Sequence, residues 1–169
     1  MNTNRAILTR RSVRAYTDQV VSSRDINDLI KAAMQAPSAG NAQPWHFIVI
    51  KDKKILAQIP IFHKTASMVA NANVAVAICA DLNLEKYPGC WVLDCAAAAE
   101  NLLLAAHDKG IGAVWTANYP LKEVESGMKK LLNLPDNISP HSLISIGYPA
   151  HPYNTKSYYN KERIHQNKW

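Results

Sequence analysis

Three guanidinium groups and one hydroxyl crowd into five residues near the start of the chain, Arg10-Arg11-Ser12-Val13-Arg14. A guanidinium fork matches phosphate oxygens bidentately, and a serine hydroxyl or a backbone N–H can complete the cradle. Arg10 and Arg14 share a face whether the segment is helical, at i and i+4, or extended, where even spacing puts them on one side. A basic cluster of this kind is equally at home on a solvated surface. A second constellation is the breaker-rich loop Pro37-Ser38-Ala39-Gly40-Asn41-Ala42-Gln43-Pro44, which offers hydroxyl and amide groups just before an apolar run. Such groups suit the edge of a heteroaromatic ring with both donors and acceptors, and they also serve to tie a loop to itself. The third lies over residues 113–120, where a short strand ends in a loop bearing Trp115, Thr116 and Asn118. Backbone N–H groups released at a strand end can reach a ligand atom, although a core tryptophan followed by an ordinary turn has the same sequence.

The elements that position these groups follow from hydrophobic spacing. Ser22 and Ser23 are candidate caps for a helix over about 24–36, in which Ile26, Leu29, Ile30, Ala33 and Met34 form one apolar stripe, and Pro37 ends it. Residues 45–50 and 73–80 are apolar runs that predict strands, the second largely buried. From about 89 to 109 the sequence is helical, and its alanine- and leucine-rich middle is apolar on nearly every side, which predicts a helix buried all round; in a small protein the obvious place for it is a dimer interface. Gly110 supplies a stop, 113–117 a short strand, 121–132 an amphipathic helix and 142–147 the last strand. The predicted order is helix, helix, strand, helix, strand, long helix, strand, helix, strand, an α+β or mixed-sheet class without internal repeats. Residues 151–169 are polar, aromatic and basic, with no periodicity to build a core of their own, so they are either disordered or packed along another surface.

Composition narrows the field. A chain of 169 residues that is 48% hydrophobic is expected to form one domain over 1–169. No apolar run approaches the ~20 residues that span a bilayer, and the first residues lead into an amphipathic segment, so neither a membrane partner nor a secretory leader is expected and the cytoplasm is the predicted location. Cys79, Cys90 and Cys95 cannot all pair within one chain and are expected to be reduced, buried thiols. The net charge of +6 favours anionic partners, either nucleic acid or a phosphorylated cofactor. Lys51, Lys53, Lys54, Lys129 and Lys130 are dispersed over separate elements, which argues against a nucleic-acid stripe. There is no G-x-S-x-G and no H-E-x-x-H, and the six histidines lack ligand spacing. Gly110-x-Gly112 follows a helix and has Trp115 where a dinucleotide fingerprint needs its third glycine, so a Rossmann site is rejected.

Four strings in order resemble the nitroreductase (FMN oxidoreductase) family, and the likeness covers almost the whole chain. They are Arg10-Arg11-Ser12-Val13-Arg14-Ala15-Tyr16; Ala36-Pro37-Ser38-Ala39-Gly40-Asn41-Ala42-Gln43-Pro44-Trp45-His46-Phe47; residues 94–106 with Gly110-Ile111-Gly112; and Ser145-Ile146-Gly147-Tyr148-Pro149. The resemblance implies an α+β fold with a mixed, mainly antiparallel sheet flanked by helices. It also implies a homodimer built on the long helix, with a domain-swapped C-terminal tail, about 150–169, packing on the partner subunit. FMN would lie at the dimer interface, its phosphate, ribityl chain and pyrimidine edge held by Arg10, Arg11, Ser12 and Arg14, with Lys156 adding charge at the phosphate. Pro37, Ser38, Ala39 and Asn41 would come from the other subunit and line the isoalloxazine ring, while Trp115, Thr116 and Ala117 would pass its reactive face and aim a backbone N–H at N5.

The implied reaction has two steps: NADH or NADPH reduces the flavin and leaves, then a small-molecule electron acceptor such as a nitroaromatic or a quinone takes its place. The cofactor carries that chemistry, so no catalytic side chain is implied beyond Arg14 as an electrostatic stabiliser of reduced flavin. A second reading keeps the fold and drops the turnover, making the protein one that stores, senses or processes flavin. The chain is short for the family. Only about twenty residues separate the strand near Ile50 from the one near Asn73, with fewer between Asp81 and Gly89, where larger relatives insert a roof over the active site.

Overall fold

The computed structural model of the chain describes residues 2–169. Four strands, β1 (Trp45–Ile50), β2 (Val74–Asp81), β3 (Gly112–Ala117) and β4 (Ile138–Gly147), form one sheet in the order β1-β2-β4-β3. Five helices accompany it: α1 (Thr3–Thr9), α2 (Ser23–Ala33), α3 (Lys53–Phe62), α4 (Trp91–Asp108) and α5 (Lys122–Leu132). The succession of elements is the one the hydrophobic pattern predicts, and the fold is α+β. All three ladders are antiparallel; the parallel component of the sheet is a single bridge between Ser12 and Ala113.

β2 explains why its sequence is a continuous apolar run. Val74, Val76, Ile78 and Ala80 point into a core shared with α2 and α4, while Ala75, Ala77 and Cys79 point into a second core shared with α3 and α5. A strand covered on both faces needs no polar alternation. It pairs with β1 on one side and β4 on the other, and because helices cover both of its faces the sheet is the middle layer of three. No helix of the described residues is long and apolar enough to cross a membrane.

Three differences from expectation have local causes. α2 is capped by Ser22, whose Oγ accepts from Asp25 N at 3.0 Å, and stops at Ala33, before residue 36, because Pro37 disfavours helical backbone ahead of it. β4 begins four residues earlier than predicted, its start hidden by Pro140. There the register with β2 slips, Ile78 standing opposite Ser142 and Cys79 opposite Pro140, so His141 is the extra residue of a bulge, a place where proline is tolerated within a sheet. Finally, α4 is not buried all round within one chain. Trp91, Cys95, Ala98, Leu102 and Ala106 are covered, but Leu93 is 69% exposed and Ala96, Ala97, Glu100 and Leu104 continue its stripe half-buried.

All three cysteines are free, and the buried Cys79 and Cys95 have thiols pushed up to about 12 by burial, so both are protonated and inert near neutrality. Cys90 is only half-buried, which limits the expectation of buried thiols to the other two. The bulge residue His141 is 5% exposed and packs between the rings of Trp91 at 6.0 Å and Trp115 at 5.7 Å. Burial pushes its pKa down to about 4, opposed by the Val92 backbone.

An unfolded chain takes up this proton first, near pH ~6.5, so protonation favours unfolding throughout the interval between the two pKa values. The neutral imidazole therefore contributes about 3 kcal/mol that is fully present above pH ~6.5 and lost as pH falls toward 4. His63 and His107, both depressed by burial, act in the same direction. Urea unfolding of His141→Phe between about pH 7.5 and 4.5 is expected to show a flatter decline than the parent chain.

Candidate functional site

The arginine segment is held along the outer edge of β3. Val13 N–H donates to the Ala113 carbonyl at 3.0 Å, Thr17 N–H to the Tyr148 carbonyl at 2.8 Å, and Ala150 N–H to the Ala15 carbonyl at 3.0 Å. Two glycines make room for this approach. A Cβ on Gly112 would stand 2.7 Å from Val13 Cγ1, and one on Gly147 would stand 2.8 Å from Tyr16 Cδ1, closer than carbon atoms pack. Tyr16 locks the seat, its hydroxyl donating to the Val13 carbonyl at 2.7 Å and lying 2.9 Å from Ser145 Oγ. Burial raises that phenol to about 12, which keeps it protonated. With Val13 buried, its extended neighbours Ser12 and Arg14 face solvent.

Arg10, Arg11, Ser12 and Arg14 come together with Tyr158 around a cavity of about 280 Å³. Arg10 Nε pairs with Glu100 Oε1 of α4 at 3.1 Å. Among the described residues, Arg11 and Arg14 have no carboxylate partner, so the cavity carries uncompensated positive charge beside a serine hydroxyl. Lys156 does not line this cavity; its ammonium lies 5.9 Å from the Tyr158 ring and lines a neighbouring cavity with Ile7, Leu8 and Thr9, on the other side of the same tyrosine. The sequence singled out Lys156 but not Tyr158, although the two are only two residues apart. The first part of the tail thus touches its own chain here and at His107, whose Nδ1 is 3.0 Å from the Tyr153 hydroxyl. Residues 151–169 are otherwise exposed along their length.

The edge of β3 beyond this segment is open. Because Val13 bonds the Ala113 carbonyl, the backbone polar groups of Ala113 face outward, and strand alternation turns those of Trp115 and Ala117 the same way. Thr116 faces β4 instead, and so does Asn118, whose N–H donates to the His141 carbonyl at 3.1 Å. The Thr116 hydroxyl donates to the Leu143 carbonyl at 3.0 Å, and the Trp115 ring packs on His141. The Thr116 side chain is thereby spent inside the fold and the half-buried Trp115 ring packs against the core, so the open edge of this stretch is backbone.

The loop carrying Pro37, Ser38, Ala39 and Asn41 does not line the arginine cavity of the same chain. It is strapped to the first turn of α4: Ala39 N–H donates to Asp94 Oδ1 at 2.9 Å, and the carboxylate is 5% exposed. Lys86 Nζ donates to the Gly40 carbonyl at 2.7 Å, and Gln43 N–H donates to Ser38 Oγ at 3.0 Å. Gly40, Asn41 and Gln43 all have left-handed backbone, with φ of 58°, 53° and 49°, so the loop is coiled tightly. Ser38 therefore ties the loop to itself, while Pro37 and the Asn41 side chain remain exposed. Asp94 and Lys86 were not singled out in the sequence. An aspartate in the first turn of a helix is so common that its spacing carries no further signal.

The sequence profile of the nitroreductase family matches residues 7–81 and 62–148. A protein of Methanothermobacter thermautotrophicus, provisionally named NADH dehydrogenase/NAD(P)H nitroreductase, is 45% identical over 169 residues, covering 100% of this chain and 88% of its own. The crystal structure of a protein with the same provisional name from Parabacteroides distasonis superposes with a TM-score of 0.96 at 41% identity, over 100% of both chains. A nitroreductase of Desulfovibrio desulfuricans, so named provisionally and solved in complex with FMN, gives a TM-score of 0.86 at 28% identity over 100% of this chain and 99% of the other. The chain belongs to the nitroreductase family.

The close approach at Gly112 has a measurable consequence. Gly112→Ala is expected to push Val13 off its seat and destabilise the fold by roughly 1–3 kcal/mol, as overpacking does, which urea titration would register as a lower midpoint with an unchanged slope.

Proposed function

We propose that this protein is an FMN-dependent NAD(P)H oxidoreductase that reduces nitroaromatics, quinones or similar electron-poor acceptors in two hydride-transfer steps. The observation that carries the reading is the arginine-serine cavity: two guanidinium groups without carboxylate partners and a hydroxyl, fixed on a strand edge that continues as open backbone donors. A phosphate needs the first part and the polar edge of a flat ring can use the second, so the residues present fit FMN. Bound FMN supplies the hydride chemistry, accepting from the nicotinamide and passing on to the acceptor.

The chain's own residues have the remaining tasks. Arg10, Arg11, Ser12, Arg14 and Lys156 hold the phosphate and its neighbouring chain, and the exposed Arg14, which has no carboxylate partner among the described residues, is the cation free to offset negative charge on the ring. The open N–H groups of Trp115 and Ala117 flank Thr116 at the reactive edge. Pro37, Ser38, Ala39 and Asn41 line the ring from a second copy of the chain, which accounts for a loop that is rigid yet separate from the arginine cavity. The outward stripe of α4, with Leu93 at 69% exposure, is the surface on which that copy packs, and of the tail over about 150–169, whose Tyr153 and Tyr158 lie against their own chain, the exposed part beyond Tyr158 reaches across to it. The relatives' names, NAD(P)H nitroreductase among them, and the FMN complex of the Desulfovibrio desulfuricans protein support the same activity.

Two measurements test this. Arg14→Ala loses a charge-assisted hydrogen bond, on the order of 1.5–3 kcal/mol, and is expected to weaken FMN binding at least about tenfold in a fluorescence titration. Anaerobic mixing of the flavin-loaded protein with NADH and, separately, NADPH is expected to bleach the oxidised flavin band with at least one donor. A flavin band that survives both donors would leave a protein that binds flavin without turning it over.

A further inference from the structure

Tyr158 forms the one wall of the arginine cavity that is neither a cation nor a serine. It is 71% exposed, so core packing does not hold it. Arg11 does: Nη1 donates to the phenolic oxygen at 2.8 Å, and the guanidinium carbon lies 5.5 Å from the ring centroid. The Lys156 ammonium lies 5.9 Å from the same centroid. One aromatic ring thus has two cations in contact with it, Arg11 in the cavity and Lys156 beside it, an arrangement that favourable cation–π contact permits and that their mutual repulsion opposes.

The hydroxyl has a further property. A phenol offers one proton and accepts through its lone pairs, and the bond from Arg11 occupies an acceptor position only. Among the described residues no acceptor takes the proton. Donation from a cation polarises the O–H group and strengthens it as a donor in turn. The hydroxyl lines a cavity whose other walls include Ser12 and the guanidinium groups of Arg11 and Arg14, neither of which has a carboxylate partner among the described residues, a lining whose donors suit an anion.

We propose that Tyr158 is a ligand for a phosphomonoester dianion in this cavity, its hydroxyl donating to a phosphate oxygen while Arg11 holds the phenol and the ring holds Arg11 and Lys156 in place. The identity of the phosphate as that of FMN rests on the function proposed above, whereas the preference for a phosphate does not. A tyrosine here adds a hydrogen bond without adding a further charge to a site already crowded with cations. It also ties the tail to the arginine segment whenever the anion is bound.

Flavin-free protein titrated with FMN and with riboflavin, which lacks the phosphate, tests the assignment through quenching of flavin fluorescence. Tyr158→Phe keeps the ring and removes the hydroxyl, and its exposure makes it harmless to folding. It is expected to weaken FMN about tenfold and leave riboflavin within about twofold. Tyr158→Ala, which also frees Arg11 and Lys156, is expected to weaken FMN further. A parallel arm measures the rise in melting temperature given by inorganic phosphate, which is expected to be smaller in Tyr158→Phe. If Tyr158→Phe retains the full preference for FMN over riboflavin, or loses both flavins equally, the phosphate role of Tyr158 is overturned while the flavin reading stands. If the parent chain binds neither flavin but its stabilisation by phosphate depends on the hydroxyl, the flavin reading falls and the ligand assignment survives. Phosphate stabilisation that is absent, or indifferent to the hydroxyl, in a chain that binds neither flavin overturns both.

Discussion

The arginine segment depends on a backbone contact that side chains would prevent. Val13 and Tyr16 lie where Cβ atoms would be if residues 112 and 147 were anything but glycine. That approach lets Val13 bond the Ala113 carbonyl and extends the sheet by one parallel bridge. Everything polar at the site follows from it. Ser12 and Arg14 turn outward because Val13 turns inward, and the outer edge of β3 is filled up to Ala113 and open beyond it. A basic cluster on a flexible terminus would spend binding energy on ordering itself, whereas this one is ordered by the sheet before any ligand arrives.

The loop proposed to line the ring from a second copy is built by a different device. The loop after α2 coils through three left-handed residues and is fastened from outside, by the Asp94 carboxylate below and the Lys86 ammonium at the side. Its rigidity comes from α4 and the segment before it, not from the strand that it leads into. Loop and cavity are therefore both tied to the same helix, the loop through Asp94 in its first turn and the arginine cavity through Glu100 near its middle.

Much of this was legible in the residues because periodicity and breakers are local. The core stripe of α2, the strand Trp45–Ile50 and the stop at Gly110 require only neighbouring residues to be read. The start of β4 was not legible, since Pro140 and His141 argue against a strand unless the bulge opposite Ile78 and Cys79 is known, and a bulge is a property of two strands. The same holds for α4: composition shows an apolar helix, but which stripe the sheet and α2 leave uncovered depends on their placement. At the site, the arginine and serine residues announced themselves by chemistry and crowding. Tyr158 did not, because an exposed tyrosine in an aperiodic tail has no signature until the fold lays it against Arg11. Thr116 shows the converse, a plausible polar residue whose hydroxyl the fold spends on the Leu143 carbonyl.

Glu100 occupies two roles that bear on each other. It is the counter-ion of Arg10 and also a member of the outward stripe of α4, with 44% of its side chain open to solvent. In water such an ion pair is weak and easily screened. Any body that covers the stripe strips water from the carboxylate, strengthens its hold on Arg10 and leaves the remaining guanidinium groups to face an incoming anion. The electrostatics of the cavity are thereby subject to what happens on a helix surface outside it, and dissolved salt acts on the two together.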